Sequence, residues 1–139
     1  MAEIKPGLVG EYRVKVVPEN TAQHLGSGSV AVFATPEMVR SMERAAVAAV
    51  DHLLPEGQRT VGIHIDVRHL APTPVGMTVT ARAELIEVDG RRLPFRVEAH
   101  DEQEKVGEGI HHRMIIDLER FQGRVAKKMA LATESTEKI

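Results

Sequence analysis

The sequence predicts an α+β fold in which one long antiparallel sheet wraps a single buried helix, on the strength of three observations. Only residues 35–54 place apolar side chains at helical spacing over a long run. Four segments after it alternate apolar and polar residues with a period of two. The junctions between the last three of them are short polar turns of the kind that join antiparallel neighbours.

Residues 11–17 read as a first strand, with Tyr12, Val14 and Val16 on one face. In TPEMVRSMERAAVAAVDHLL, Thr35 suits the N-cap and Pro36 the first helical position. Glu37 puts a carboxylate in the first turn, where the helix end is positive. Met38, Val39, Met42, Ala45, Ala46, Ala49, Val50, Leu53 and Leu54 form a wide apolar stripe, and its alanines permit close approach to a sheet. This helix is expected to be buried along its length, and Pro55-Glu56-Gly57 ends it. Strands are expected over residues 61–70, 77–88, 91–101 and 105–119. Asp89-Gly90 signals a tight hairpin, residues 101–104 a second polar turn, and Pro72-Thr73-Pro74-Val75-Gly76 a break. The reading gives one domain over residues 1–132, a flexible polar tail over 133–139, and a mobile stretch at Gly26-Ser27-Gly28-Ser29.

Composition narrows the chemistry. Among 139 residues, 18 lysines and arginines oppose 20 aspartates and glutamates, a formal charge of −2 that recommends neither nucleic acid nor an anionic membrane as partner. The N-terminus lacks a signal-peptide pattern and no apolar run is long enough to span a bilayer, so a cytoplasmic protein is expected. Zero cysteines remove disulfides and thiolate chemistry, and 3% aromatic content leaves little for base stacking. Carboxylate, histidine and hydroxyl chemistry remain.

Three residues stand out against the patterning. In Ile63-His64-Ile65-Asp66-Val67-Arg68-His69, the last histidine takes a slot of apolar parity. It is either a strand-end histidine satisfied by a backbone carbonyl, or a general acid/base aimed at the helix. Glu43 borders the apolar stripe beside Val39, Ala46 and Val50. There it is either partly desolvated, which raises a carboxylate pKa and makes a better base, or it reaches solvent or pairs with Arg40 or Arg44. Thr35 is explained by capping, yet its hydroxyl also lies at the positive helix end. About 12 Å of helical rise separates Thr35 from Glu43, so if they share a site, a third group, a substrate or a second subunit must bridge them. Near the C-terminus, the parity of His112 with Val106, Ile110 and Met114 predicts an inward His112 and an outward His111 and Arg113. Adjacent strand histidines point oppositely and make a poor metal pair, so no metal site is expected.

These residues resemble the hotdog-fold acyl-CoA thioesterases of the fluoroacetyl-CoA thioesterase type, over about Val9 to Lys128. The resemblance runs through Val32-Phe33-Ala34-Thr35, Met38-Val39 and Met42-Glu43, then Gly62 through His69 with Ala71-Pro72-Thr73-Pro74 and Gly76. It continues through Thr78-Val79-Thr80, Ala83-Glu84-Leu85, Gly90-Arg91-Arg92-Leu93, Ala99-His100-Asp101 and the spacing of Gly107, Gly109, His111 and Arg113. It implies a catalytic set of Thr35, Glu43 and His69, with the Gly62 backbone near the thioester carbonyl and Arg113 as a further substrate-binding candidate.

The activity implied is hydrolysis of a small acyl-CoA or related thioester, with no cofactor beyond the coenzyme A of the substrate. In those roles Glu43 is base or nucleophile, His69 moves protons to water or leaving thiolate, and Thr35 positions or attacks the carbonyl. A homodimer or dimer of dimers is expected, because edge-to-edge pairing covers exposed sheet edges. Between His24-Leu25 and Val32-Phe33 the fluoroacetyl-CoA pattern has a longer insert with phenylalanines over the acyl pocket. Here that segment is only Gly26-Ser27-Gly28-Ser29-Val30-Ala31, so a broader or different short-chain acyl group is expected. Two rivals share the fold: an enoyl-thioester hydratase or dehydratase, and a non-catalytic acyl-CoA sensor.

Overall fold

The computed structural model describes residues 3–137. Five strands, β1 (Val9–Lys15), β2 (Gln58–His69), β3 (Thr78–Leu85), β4 (Arg92–His100) and β5 (Lys105–Asp117), form one sheet in the order β1-β3-β4-β5-β2. Every neighbouring pair is antiparallel. A short helix α1 (Ala22–Leu25) and the long helix α2 (Thr35–Val50) lie between β1 and β2, and α3 (Leu118–Glu137) follows β5.

The alternating pattern produces the core directly. Val79, Ala81, Ala83 and Leu85 of β3 and Leu93, Phe95, Val97 and Ala99 of β4 are buried on the face that receives Met38, Met42, Ala45, Ala46, Ala49 and Val50 of α2. Small residues let the helix sit close. A Cβ on Gly10 of β1 would come within 2.1 Å of the Ala45 carbonyl oxygen and 2.5 Å of the Ala49 amide, so strand backbone rests on helix backbone. The turns match their chemistry. Asp89 and Arg92 exchange backbone hydrogen bonds of 3.0 and 2.9 Å around Gly90, whose φ is +60°, and Asp101 Oδ1 accepts the amides of Gln103 and Glu104.

Two bulges set the phase of the strands that matter most. Gly62 pairs with Arg113 and His64 with His112, so Ile63 is an extra residue in β2. Beyond it Ile65, Val67 and His69 pair with His111, Gly109 and Gly107. In β5, Ala99 faces Gly107 while His100 faces Lys105, which makes Val106 an extra residue and reverses the parity after it. The expected orientation of His111, His112 and Arg113 is therefore inverted. His111 and Arg113 are buried under α2, while His112 stacks on His64 on the other face, ring centroids 5.0 Å apart.

Strand β1 starts two residues earlier than expected, because Val9 and Gly10 pair with Glu84 and Ala83. Strand β5 ends at Asp117, and Leu118 begins a helix that the strand expectation did not contain. Its amide donates to the Gly57 carbonyl at 2.8 Å. The domain boundary expected at residue 133 falls inside α3, and residues 138 and 139 of the expected tail lie outside the described residues. Strand β2 is an outer strand, and it exposes Ile63 (48%) and Ile65 (39%).

Candidate functional site

The sheet face under α2 carries two polar clusters, one at the start of the helix and one near its middle. Ala34, with extended backbone angles, occupies the N-cap position, and Thr35 is the first helical residue. No side chain caps this helix, which corrects the expected role of Thr35. Its Oγ1 instead lies 2.7 Å from Nδ1 of His69, a hydrogen-bond distance. His69 arrives there because the Ile63 bulge aims the end of β2 at the helix. Thr35 and His69 line an open hollow of about 370 Å³ with Val32, Phe33, Ala71 and Pro72. Burial pushes the His69 imidazole below its ordinary value, partly offset by the nearby backbone of Ala71. Its Nε2 is buried and has no hydrogen-bond partner among the described residues.

The second cluster surrounds Gly62. A Cβ at this glycine would sit 3.0 Å from Glu43 Oε2, 3.2 Å from His111 Cε1 and 3.3 Å from Arg113 Nη1, so the missing side chain is what lets three polar groups converge. Glu43, Gly62, His111, Val39 and Ile65 line a smaller hollow of about 260 Å³. Glu43 keeps 42% of its side chain exposed, whereas Arg113 keeps 8%. Arg113 is tethered from behind. Nε donates to Thr60 Oγ1 at 2.8 Å and Nη2 to the Thr60 carbonyl at 3.0 Å. Thr60 in turn donates its hydroxyl to Asp51 Oδ1 at 2.5 Å. The remaining arm, Nη1, lies 3.2 Å from His111 Nε2 and 3.9 Å from Glu43 Oε2.

Because a guanidinium only donates, His111 Nε2 must accept, and Nδ1 therefore carries the proton that reaches the His64 carbonyl at 2.8 Å. Burial first, and the Arg113 charge in addition, hold this imidazole below its ordinary value and keep it neutral. Burial also lowers the Arg113 guanidinium, against the opposing pull of Asp51 and Glu43.

Thr35 and His69 are thus in contact, and Glu43, Gly62 and Arg113 form a second group a little over two turns of helix away. Thr60, Asp51 and His111 belong to this second group, and none of them was given a site role from sequence. The parity of His111 was readable only with the bulge at Val106, and no local pattern marks Thr60 or Asp51. Among the described residues no cluster of three or more histidines or carboxylates could hold a metal ion, and no helix is long and apolar enough to cross a membrane.

The sheet and its central helix are shared with hotdog proteins of the thioesterase superfamily. A Thermus thermophilus member of that superfamily superposes with a TM-score of 0.87 at 29% identity, covering 97% of this chain and 99% of its own. The pattern of the fluoroacetyl-CoA-specific thioesterases matches residues 16–119, and the chain belongs to that family. It is 44% identical over 119 residues to the fluoroacetyl-CoA thioesterase of Streptantibioticus cattleyicolor, across 81% of this chain and 86% of that one. The solved structure of the fluoroacetyl-CoA thioesterase FlK matches with a TM-score of 0.85 at 40% identity, covering 91% and 98% of the two chains. The protein is a thioesterase of the acyl-CoA class.

Proposed function

We propose that the enzyme hydrolyses short-chain acyl-CoA thioesters in a site built from Thr35 and His69 of one copy and Glu43 and Gly62 of a second. The carrying observation is the 2.7 Å contact between Thr35 and His69 at the wall of an open hollow, with the Nε2 of His69 buried just behind it and unpartnered among the described residues. If Nδ1–H donates to the Thr35 oxygen, Nε2 presents a lone pair, and an imidazole with a lowered pKa is unprotonated and ready to act as a base at neutral pH. It takes a proton from water as that water attacks the thioester carbonyl, and returns it to the departing thiolate. The carboxylate of Glu43 orients the water and balances the imidazolium charge, and the Gly62 amide holds the oxyanion.

Two features support the second copy. Within one chain Glu43 and the Thr35–His69 pair line different hollows. The exposed edge of β2 carries Ile63 and Ile65, apolar groups that a partner strand would cover. An antiparallel pairing of two β2 strands centred between Ile65 and Asp66 sets Gly62 of one copy opposite residue 69 of the other, with both helices on the same face. Arg113 then serves as a positioning residue behind Glu43 and not as a substrate contact, since Thr60 and His111 already engage its donors.

The hollow beside His69 lies next to the short segment around Ser27, with walls from Phe33, Ala71 and Pro72, so acyl groups larger than acetyl are accommodated. The test is a thiol-release screen across acyl-CoA chain lengths, fluoroacetyl-CoA included, with the oligomeric state measured alongside. Release from several short-chain acyl-CoAs, without a fluoroacetyl preference, is expected from a dimer or larger assembly. Saturable binding with no thiol release would point to a sensor, and hydration of an enoyl-CoA to the hydratase reading. Glu43→Gln falling as far as His69→Ala would transfer the base role to Glu43.

A further inference from the structure

Gly107 of β5 and Met38 of α2 meet directly beside the proposed base. In the sheet Gly107 lies between His69 of β2 and Ala99 of β4, and both Gly107 and Met38 are buried. A Cβ on Gly107 would overlap the Met38 Sδ and come within 2.9 Å of its Cε, so the thioether tip rests on the bare Cα. Gly107 lies within a strand and its backbone is outside the left-handed region, so space alone excludes a side chain there. Gly109, two residues on, differs. A Cβ on Gly109 would meet the backbone of Asp66 and Val67 in β2. One glycine serves the approach of two strands, the other the seat of a side chain.

We propose that Met38 is a positioning residue for thioester hydrolysis: seated on Gly107, its side chain packs behind the His69 imidazole and holds the ring against Thr35. The inference rests on His69 as the base. Met38 follows Thr35 by three residues and so shares its face of α2. His69 and Gly107 are paired, and opposite residues of neighbouring strands turn to the same face, so the ring and the thioether tip stand side by side under the helix. The ring needs such a backing. Thr35 holds Nδ1, while Nε2 has no hydrogen-bond partner among the described residues, and one hydrogen bond leaves an imidazole free to tilt unless it is packed. An unbranched thioether suits that place, because it fills an irregular gap and offers Nε2 no strong partner. Burial, opposed by the nearby backbone of Ala71, sets the proton affinity of His69, and no charged side chain contributes.

The test exchanges volume across this contact. Gly107→Ala puts a methyl group where the thioether tip lies. A loss of about tenfold to a hundredfold in kcat is expected, with KM for acyl-CoA within about twofold, because the ring and not the substrate is displaced. Adding Met38→Leu withdraws the tip and lets the new methyl group fill its place, so the double variant should regain most of the loss. Met38→Ala opens a gap behind the ring and admits water. It should raise the His69 pKa, followed through the imidazole NMR signal, towards the ordinary value of about 6.5, and Met38→Leu alone should move it the same way by less.

Wild-type kcat in Gly107→Ala, a loss that Met38→Leu does not relieve, or a His69 titration unmoved in both Met38 variants overturns the assignment. The second of these would put the clash on the Arg68 carbonyl oxygen, 3.2 Å from the added Cβ, and so on the strand. His69→Ala separates this inference from the one beneath it. If that variant hydrolyses the thioester as fast as the wild type, the base role falls and the positioning role with it. If it is slow while the titration is unmoved, only the positioning role falls.

Discussion

The two polar clusters under α2 are built on opposite principles. Thr35 and His69 hold each other by one hydrogen bond at an open wall, and His69 leaves a nitrogen unpartnered among the described residues. Around Gly62, by contrast, Arg113 is fixed by three groups and reaches back through Thr60 to Asp51. A buried cation is tolerated only when its donors are satisfied, so the second cluster is a piece of the folded framework that also presents Glu43. The first contributes little to folding and keeps its chemical capacity free. Damage to the two should therefore register in different measurements, stability for one and rate for the other.

The strongest way to break that contrast is Arg113→Met, which leaves the Thr60 carbonyl and His111 Nε2 without their donor. Urea unfolding should show a loss of about 3 kcal/mol, and a stable variant with intact activity would show that the network is ornamental. Next comes His69→Ala, expected to slow turnover by at least about a hundredfold with its unfolding midpoint little changed. Thr35→Ala should act through the same pair, so the double variant should be hardly slower than the worse single one. Additive losses would separate their roles. Gly62→Ala probes the boundary between the clusters. Its methyl group would press on Glu43, His111 and Arg113 at 3.0 to 3.3 Å, and a loss of about tenfold in kcat/KM is expected with a small change in stability.

The gentlest probe is pH. His69 and His111 both have folded-state values below the ordinary imidazole value, so the unfolded chain binds protons more readily than the native one. Their stability contribution is fully present above the unfolded value of about 6.5 and is lost as pH falls below it. Thermal melts should decline through that range, and His111→Gln should flatten the decline. Activity should fall in the same direction as His69 gains a proton, with an apparent pKa below 6.5.

Much of the framework was legible because each element announced itself by period. The helix stripe from Met38 to Val50, the four alternating runs and the turns at Gly90 and Asp101 all appear, with strand ends a few residues off and residues 118 and 119 helical in place of strand. His69 facing the helix was readable too, since it shares the parity of Ile65 and Val67, which lie with it beyond the Ile63 bulge. Three things were not. A bulge adds a residue without altering composition, so Val106 silently reversed the parity of His111, His112 and Arg113. Thr35 fits a cap by type, but capping depends on backbone angles that belong to Ala34. Among the residues of α3 whose burial is described none is buried, with Phe121, Val125 and Met129 exposed, so its periodicity was easy to pass over although its residues favour helix. The Arg113 network joins residues up to 53 positions apart and has no local signature at all.

The backbone contact between Gly10 and α2 has a mechanical consequence. Side chains can slide and repack past one another, but a peptide group seated on a peptide group offers no such adjustment. The helix is thereby locked along its own axis, and its placement becomes a fixed gauge for where Thr35 meets His69 and where Glu43 sits beside Gly62 on the sheet. A mutation at the far edge of the sheet, remote from every reacting atom, would detune that gauge and so reach the chemistry through position alone.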